Sequence, residues 1–252
     1  MADEKTVKKN DFVELDFSAI LKESGKVFDT TIPSEAEKAG IPNFKDLKSL
    51  KICVGQGIVV KGLDNALAGK ETDKNYGIEV QPKEAFGNRN PSLVKVVSEK
   101  IFLEKEIYPQ RGMMVALDGM IAKINSSSGG RVVVDFNNPL SGKVIVYDFK
   151  IKRIIADLKE KLFVLLNNLL GIKEEDCSVN LKEKEVEIEI KNKEMFSIIG
   201  SKKAVDEFGK RAKELLGIDV KFKKAVEAKK EEKKEEKKQD NKIEVKKEEK
   251  KQ

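Results

Sequence analysis

The first clear pattern along the chain is strict alternation. In FVELDFSAIL, Val13, Leu15, Phe17, Ala19 and Leu21 fall on one side and Glu14, Asp16 and Ser18 on the other, the signature of a half-buried strand. ESGK supplies a turn and VFDTT a second strand, so the two read as a hairpin. SEAEKAG reads as a short helix with Ser34 as cap and Gly40 as stop, LKICVG as a third strand, GLDNALAGK as a brief helix closed by Gly69, and NYGIEVQP as a strand stopped at Pro82.

Between residues 88 and 141 the pattern resets. PSLVKVV, GMMVAL, MIAKIN and RVVVDF are short extended pieces separated by EKIF, DG and SSSGG, which predicts an all-β insertion with one small helix. GKVIVYDFKIKRII then reads as a long strand whose Ile145, Tyr147, Phe149 and Ile151 face returns to the first sheet, so one domain encloses the insertion. Beyond residue 155 the period turns helical: Leu158, Leu162, Leu165, Leu166 and Leu169 share a stripe that Gly171 ends. VNL and EVEIEI read as strands around a turn at residues 182–184, followed by helix, helix and strand. The fold class expected is α+β: residues 1–87 plus 142–155 as one domain, 88–141 as an inserted all-β domain, 156–224 as a separate α+β unit and 225–252 as a tail. The tail is KKEE repetition in which Glu231 faces Glu235 and Lys233 faces Lys237. That like-charge spacing favours disorder over a solvated single helix.

Composition narrows the chemistry. The 252 residues include no histidine, which removes every Ser-His, Cys-His and His-metal mechanism. The two cysteines, Cys53 and Cys177, have no metal-ligand spacing and read as packed thiols, so neither a metal nor a cofactor is expected. The formal net charge of +6 is only half in the body of the chain, since residues 224–252 hold twelve Lys against nine acidic residues. No run is apolar enough for a membrane span and the first residues carry no secretory pattern, so a cytoplasmic protein is expected. The GQG turn before GIVVKGLDNALAG lacks GxGxxG and GK[ST], which leaves little for phosphate. Val59, Val60 and Leu63 read either as plain core or as the floor of an apolar cleft walled by Phe17, Phe28, Phe86 and Tyr147.

VFDTT, VGQGIVVKGLDNALAG, VQPKEAFGNRNPSLVKVV and DFNNPLSGKVIVYDFKI, in that order over residues 11–154, together resemble the FKBP-type peptidyl-prolyl isomerases, in particular their archaeal SlyD-like subclass. The resemblance implies an FKBP-like antiparallel sheet wrapped on a short helix and an inserted chaperone domain that binds extended, unfolded chain. It places Phe28 and Asp29 on the family's Phe-Asp pair, Phe86 on the rim and Tyr147 on a side wall as catalytic candidates. Phe17, Leu50, Val59, Val60, Leu63 and Leu93 are candidates for substrate contact. Phe17 and Phe86 stand where the family usually has tyrosine, Leu63 where many members have tryptophan, and Asn138 where the subclass has histidine in FNHPL. Met113 and Met114 fit either adaptable peptide contacts or core of the β module. Partners expected are unfolded or nascent proline-containing polypeptides.

The segment after residue 185 resembles a KH-type RNA-binding core, with GSKK in place of the GxxG loop. Long members of the isomerase family also carry a C-terminal α+β domain that pairs two chains. Pairing is the favoured reading, with RNA or ribosome binding as the alternative.

Overall fold

The structure, a computed structural model, describes residues 6–182, 185–191 and 202–224. The expected turn at residues 183–184, the first helix after EVEIEI, the first two residues of the GSKK loop and the KKEE tail lie outside the described residues. The chain divides into two compact units, Met1–Ala156 and Asp157–Gln252.

In the first unit the alternating stretch forms β1 (Phe12–Leu21), the centre of an antiparallel sheet of long and short strands. The hairpin partner β2 (Val27–Thr30) covers the second half of one edge of β1, and β3 (Leu50–Cys53) covers the first half. Along the other edge runs β9 (Ile145–Ile154), which in turn pairs with β4 (Asn75–Val80). Helix α2 (Lys61–Leu67) lies on this sheet, with Leu63 and Leu67 in the core. The approach is close enough to require glycine: a Cβ on Gly62 would stand 2.3 Å from Val80 Cγ1.

Two local readings change. Helix α1 (Pro33–Ala39) has no side-chain cap, and Ser34 sits inside its first turn. Pro33 occupies the first helical position, where its fixed φ suits the helix and its missing N–H costs nothing. Ser18, on the polar side of the alternation, is buried as well. Its hydroxyl meets Thr30 Oγ1 at 2.7 Å and donates to Glu35 of α1, so that side of β1 is covered by α1 rather than by water.

The insertion leaves and re-enters the first sheet between β4 and β9. Strands β5 (Val94–Ser98), β6 (Met114–Leu117), β7 (Met120–Ser128) and β8 (Arg131–Asp135) form an antiparallel sheet in the order β5-β8-β7-β6. One face packs around Phe102 of α3 (Lys100–Leu103), with Val115, Leu117, Ile124, Val132 and Val134.

The second unit holds α4 (Leu158–Leu170), α5 (Lys202–Leu216) and a three-stranded sheet in the order β10 (Cys177–Lys182), β11 (Glu185–Ile190) and β12 (Asp219–Lys224). Asp157 caps α4 by accepting the Glu160 N–H at 2.7 Å, and Gly171 ends it in the left-handed conformation. Val186, Ile188 and Ile190 point into the core, while the opposite face is an ion-pair ladder. There Lys221 pairs with Glu185, Lys223 with Glu187 at 2.9 Å and Lys182 with Glu187 at 3.2 Å.

Candidate active site

The site begins with an irregularity in the first hairpin. Ala19 pairs with Asp29 but Ile20 pairs with Val27, so Phe28 is the extra residue of a β-bulge. In a regular strand Phe28 and Asp29 would face opposite sides of the sheet. A bulge re-aims one residue, and Phe28 packs on the same apolar cluster that Asp29 overlooks. Thr30 fixes the hinge of this turn by donating to the Phe17 carbonyl at 2.8 Å, while Thr31 Oγ1 accepts the Phe17 N–H at 2.9 Å.

Around that pair the sheet and α2 gather the remaining walls. Phe28 and Phe86 meet edge to face with ring centroids 6.0 Å apart, and Phe17 and Tyr147 are tilted at the same separation. Leu63, Phe17 and Tyr147 are buried. Leu50, Val59, Val60, Phe28 and Phe86 are half-buried and pack against the same cluster. The result is an apolar hollow whose inner wall is core and whose outer rim remains accessible. Val60 flanks the start of α2. Val59 also borders a separate cavity of about 490 Å³ behind the loop, among Lys9, Gly55, Gly57, Lys61 and Asp64.

Charge is sparse here. Asp29 is exposed at the surface, yet loss of hydration on its apolar side raises its carboxyl pKa despite a hydrogen bond from the Thr30 backbone. Burial, with the Asp29 charge adding to it, pushes the Tyr147 phenol up to about 12. Among the described residues the Tyr147 hydroxyl makes no hydrogen bond, and no fully buried side-chain polar atom is left without a partner. The hydroxyl oxygen is therefore not fully buried. Among the described residues no cluster of acidic and cysteine side chains could hold a metal.

The rim is tied to the insertion. Ser141 donates to the Phe86 carbonyl at 3.0 Å and the Gly142 N–H to the Gly87 carbonyl at 2.8 Å. Just beyond, Arg89 pairs with the buried Asp135, whose Oδ1 accepts the Asn137 side-chain and backbone N–H groups at 2.7 and 3.0 Å. Asn90 and Asn137 exchange two further bonds. Asn138, in FNNPL, accepts the Leu140 N–H at 2.8 Å and so shapes the return turn.

Three of the sequence candidates lie outside the hollow. Leu93 precedes β5, Met113 precedes β6 and Met114 opens it, and they are 37%, 37% and 51% exposed. Sequence reasoning also missed several supports. Asp64, buried on α2, accepts the Gly55 and Gly57 N–H groups at 2.7 and 2.9 Å and so fixes the loop that carries Val59 and Val60. A lone acid inside the apolar face of GLDNAL was its only signal. The Ser18–Thr30–Glu35 cluster and the bulge had none, because both depend on strand register.

Known proteins agree with this architecture. Residues 3–102 match the FKBP-type peptidyl-prolyl cis-trans isomerase family and residues 95–140 match the IF domain of FKBP26. The short-type peptidyl-prolyl cis-trans isomerase of Methanocaldococcus jannaschii is 29% identical over 150 residues, 59% of this chain and 94% of that one. The FKBP-type 16 kDa peptidyl-prolyl cis-trans isomerase of Escherichia coli K12 is 28% identical over 106 residues, 40% of this chain and 70% of its own. The SlyD isomerase of Haemophilus influenzae is 30% identical over 109 residues, 40% and 55% of the two chains. No helix among the described residues is long and apolar enough to cross a membrane. In order along one chain, the protein thus carries an FKBP-type peptidyl-prolyl cis-trans isomerase domain and an FKBP26 IF domain, and the isomerase family acts on proline-containing polypeptides.

Proposed function

We propose that the hollow bounded by Phe28, Asp29, Phe86 and Tyr147 is where X-Pro bonds are isomerised, and that the inserted sheet captures the unfolded chain delivered to it. In this division residues 1–87 and 142–155 form the isomerase domain and residues 88–141 the chaperone domain. Rotation about an X-Pro bond meets a barrier of about 18–20 kcal/mol because the twisted imide loses resonance. The twisted form is less charge-separated than the planar one, so a dry apolar hollow favours it over the ground state. Phe17, Leu50, Val60 and Leu63 supply that surface and Phe28 and Phe86 its accessible wall. No proton transfer is needed, in keeping with a chain that has no histidine.

One observation carries the capture role. Among the described residues, the large apolar side chains left most open to water are concentrated in the insertion: Ile121 at 70%, Val96 at 64%, Tyr108 at 73% and Met114 at 51%. Strand register puts Met114, Ala116, Ile121, Val96 and Val133 on the face of the sheet opposite its core. An apolar face of this kind marks an interaction surface, and thioethers adapt to irregular partners. The test is removal of residues 88–141. Gly87 and Gly142 are already hydrogen-bonded, so their ends can be joined directly. The shortened protein is expected to isomerise a proline tetrapeptide within a few-fold of the full chain and to lose suppression of aggregation of an unfolded protein. Equal losses in both assays would contradict the division.

For the second unit we favour pairing of two chains over RNA binding. The Glu/Lys ladder neutralises the basic side chains on the open sheet face, where lysines would otherwise meet phosphates. Sedimentation of the full chain is expected to show a dimer, and salt-sensitive RNA retention would favour the other reading.

A further inference from the structure

The hollow contains one polar pair that its aromatic walls do not explain. Ala19 stands directly opposite Asp29 of β2 on one side and Tyr147 of β9 on the other, so the three form a single row across the sheet. Directly opposed residues of antiparallel strands project to the same face. The carboxylate and the phenol therefore rise together from backbone positions two strand spacings, about 10 Å, apart. Only the methyl group of Ala19 lies between their bases. Tyrosine is long enough to lean across an alanine, and the negative charge of Asp29 is felt at the phenol.

We propose that Tyr147 is a catalytic hydrogen-bond donor: its hydroxyl, beside Asp29 in the hollow, bonds to the prolyl imide nitrogen as the X-Pro linkage twists. The inference rests on the reading of the hollow as the isomerase site. A planar imide nitrogen is a poor acceptor because its lone pair is shared with the carbonyl. Twisting returns the lone pair to nitrogen, so a donor placed there stabilises the twisted state and leaves the planar one unaffected. A donor on the carbonyl oxygen would do the reverse, strengthening the planar form. No covalent bond is made or broken and the proton stays on the phenol. The hydroxyl is available for this task because no group among the described residues takes its hydrogen bond.

The test is Tyr147→Phe in the full-length chain, assayed on a proline tetrapeptide with kcat and KM determined separately. Loss of one hydrogen bond formed only in the twisted state should lower kcat about twofold to tenfold. KM and the melting temperature should stay where they are. A second readout labels the chain with 3-fluorotyrosine, whose three fluorine resonances are assigned by tyrosine-to-phenylalanine variants. The Tyr147 resonance should shift when tetrapeptide is added, while that of the exposed Tyr108 should not. An unchanged kcat, a loss confined to KM, or a fall in melting temperature that accounts for the loss would each overturn the donor role. Phe28→Ala separates the two levels. If it loses activity while Tyr147→Phe keeps it, only the donor is wrong; if Phe28→Ala is fully active, the hollow itself is misassigned.

Discussion

The isomerase sheet and the inserted sheet are both antiparallel, yet they handle apolar side chains in opposite ways. The first closes its faces: α2 covers one side, α1 the other at Ser18, and what remains open is a concave patch rimmed by Phe28 and Phe86. The second closes only one face, around Phe102, and leaves Val96, Met114 and Ile121 in water. A concave, half-closed surface can select a small ring and exclude water from it. A broad, open one can only hold chain of loosely defined sequence. Held on one polypeptide, the two would supply a low-specificity grip beside a specific reaction.

The comparison breaks most sharply at Phe28. A fully covered aromatic contributes about 1.5–3 kcal/mol of apolar contact, so Phe28→Ala is expected to reduce kcat/KM on a tetrapeptide roughly tenfold to a hundredfold. Suppression of aggregation should remain intact. The reciprocal change, Met114→Asp with Ile121→Asp, places two charges on the open face and is expected to weaken retention of an unfolded protein about tenfold, with tetrapeptide turnover unchanged. Both side chains are solvent-exposed, so the melting temperature should hardly move. Isothermal titration against a permanently unfolded client would read the change, and undiminished affinity would move the capture surface elsewhere.

The smallest effect concerns the neck that joins the two sheets. Burial alone would raise the Asp135 carboxyl. The bonds from the Asn137 side chain and backbone, the charge of Arg89 and the Asn125 side chain outweigh it and hold the group below the usual carboxylate range. Because the folded value is depressed, its stabilising contribution is complete above the unfolded pKa of about 4 and fades as pH falls through the folded value. Amide exchange at Gly142, taken relative to that of the unfolded chain at the same pH, should therefore accelerate below about pH 4 in the natural protein. In Asp135→Asn it should be faster at neutral pH and should respond less to acid. Identical acid profiles would show that the neck does not depend on this carboxylate.

Much of this protein is legible without coordinates, for reasons that particular residues make plain. Val13 to Leu21 alternate because one side of β1 is core. Leu158 to Leu169 recur at helical spacing because one side of α4 is. The four motifs of the isomerase family identify the domain and its reaction class. Legibility stops where register and packing decide. Ser34 reads as a cap because serine favours that position, but Pro33 one step earlier sets the start of α1. Ser18 reads as solvated because its strand alternates, but α1 lies over it.

What the sequence determined alone was the periodicity of each element, the enclosure of one β unit by another and the absence of histidine chemistry, all of them properties of local order and composition. Only the tertiary structure decided that Phe28 and Asp29 share a face, that Asp29 and Tyr147 stand in one row on either side of Ala19, and that the open apolar face belongs to the insertion. Each of these depends on which strand lies beside which and in what register, and a single-residue slip or bulge redirects side chains without leaving any mark in the order of the residues.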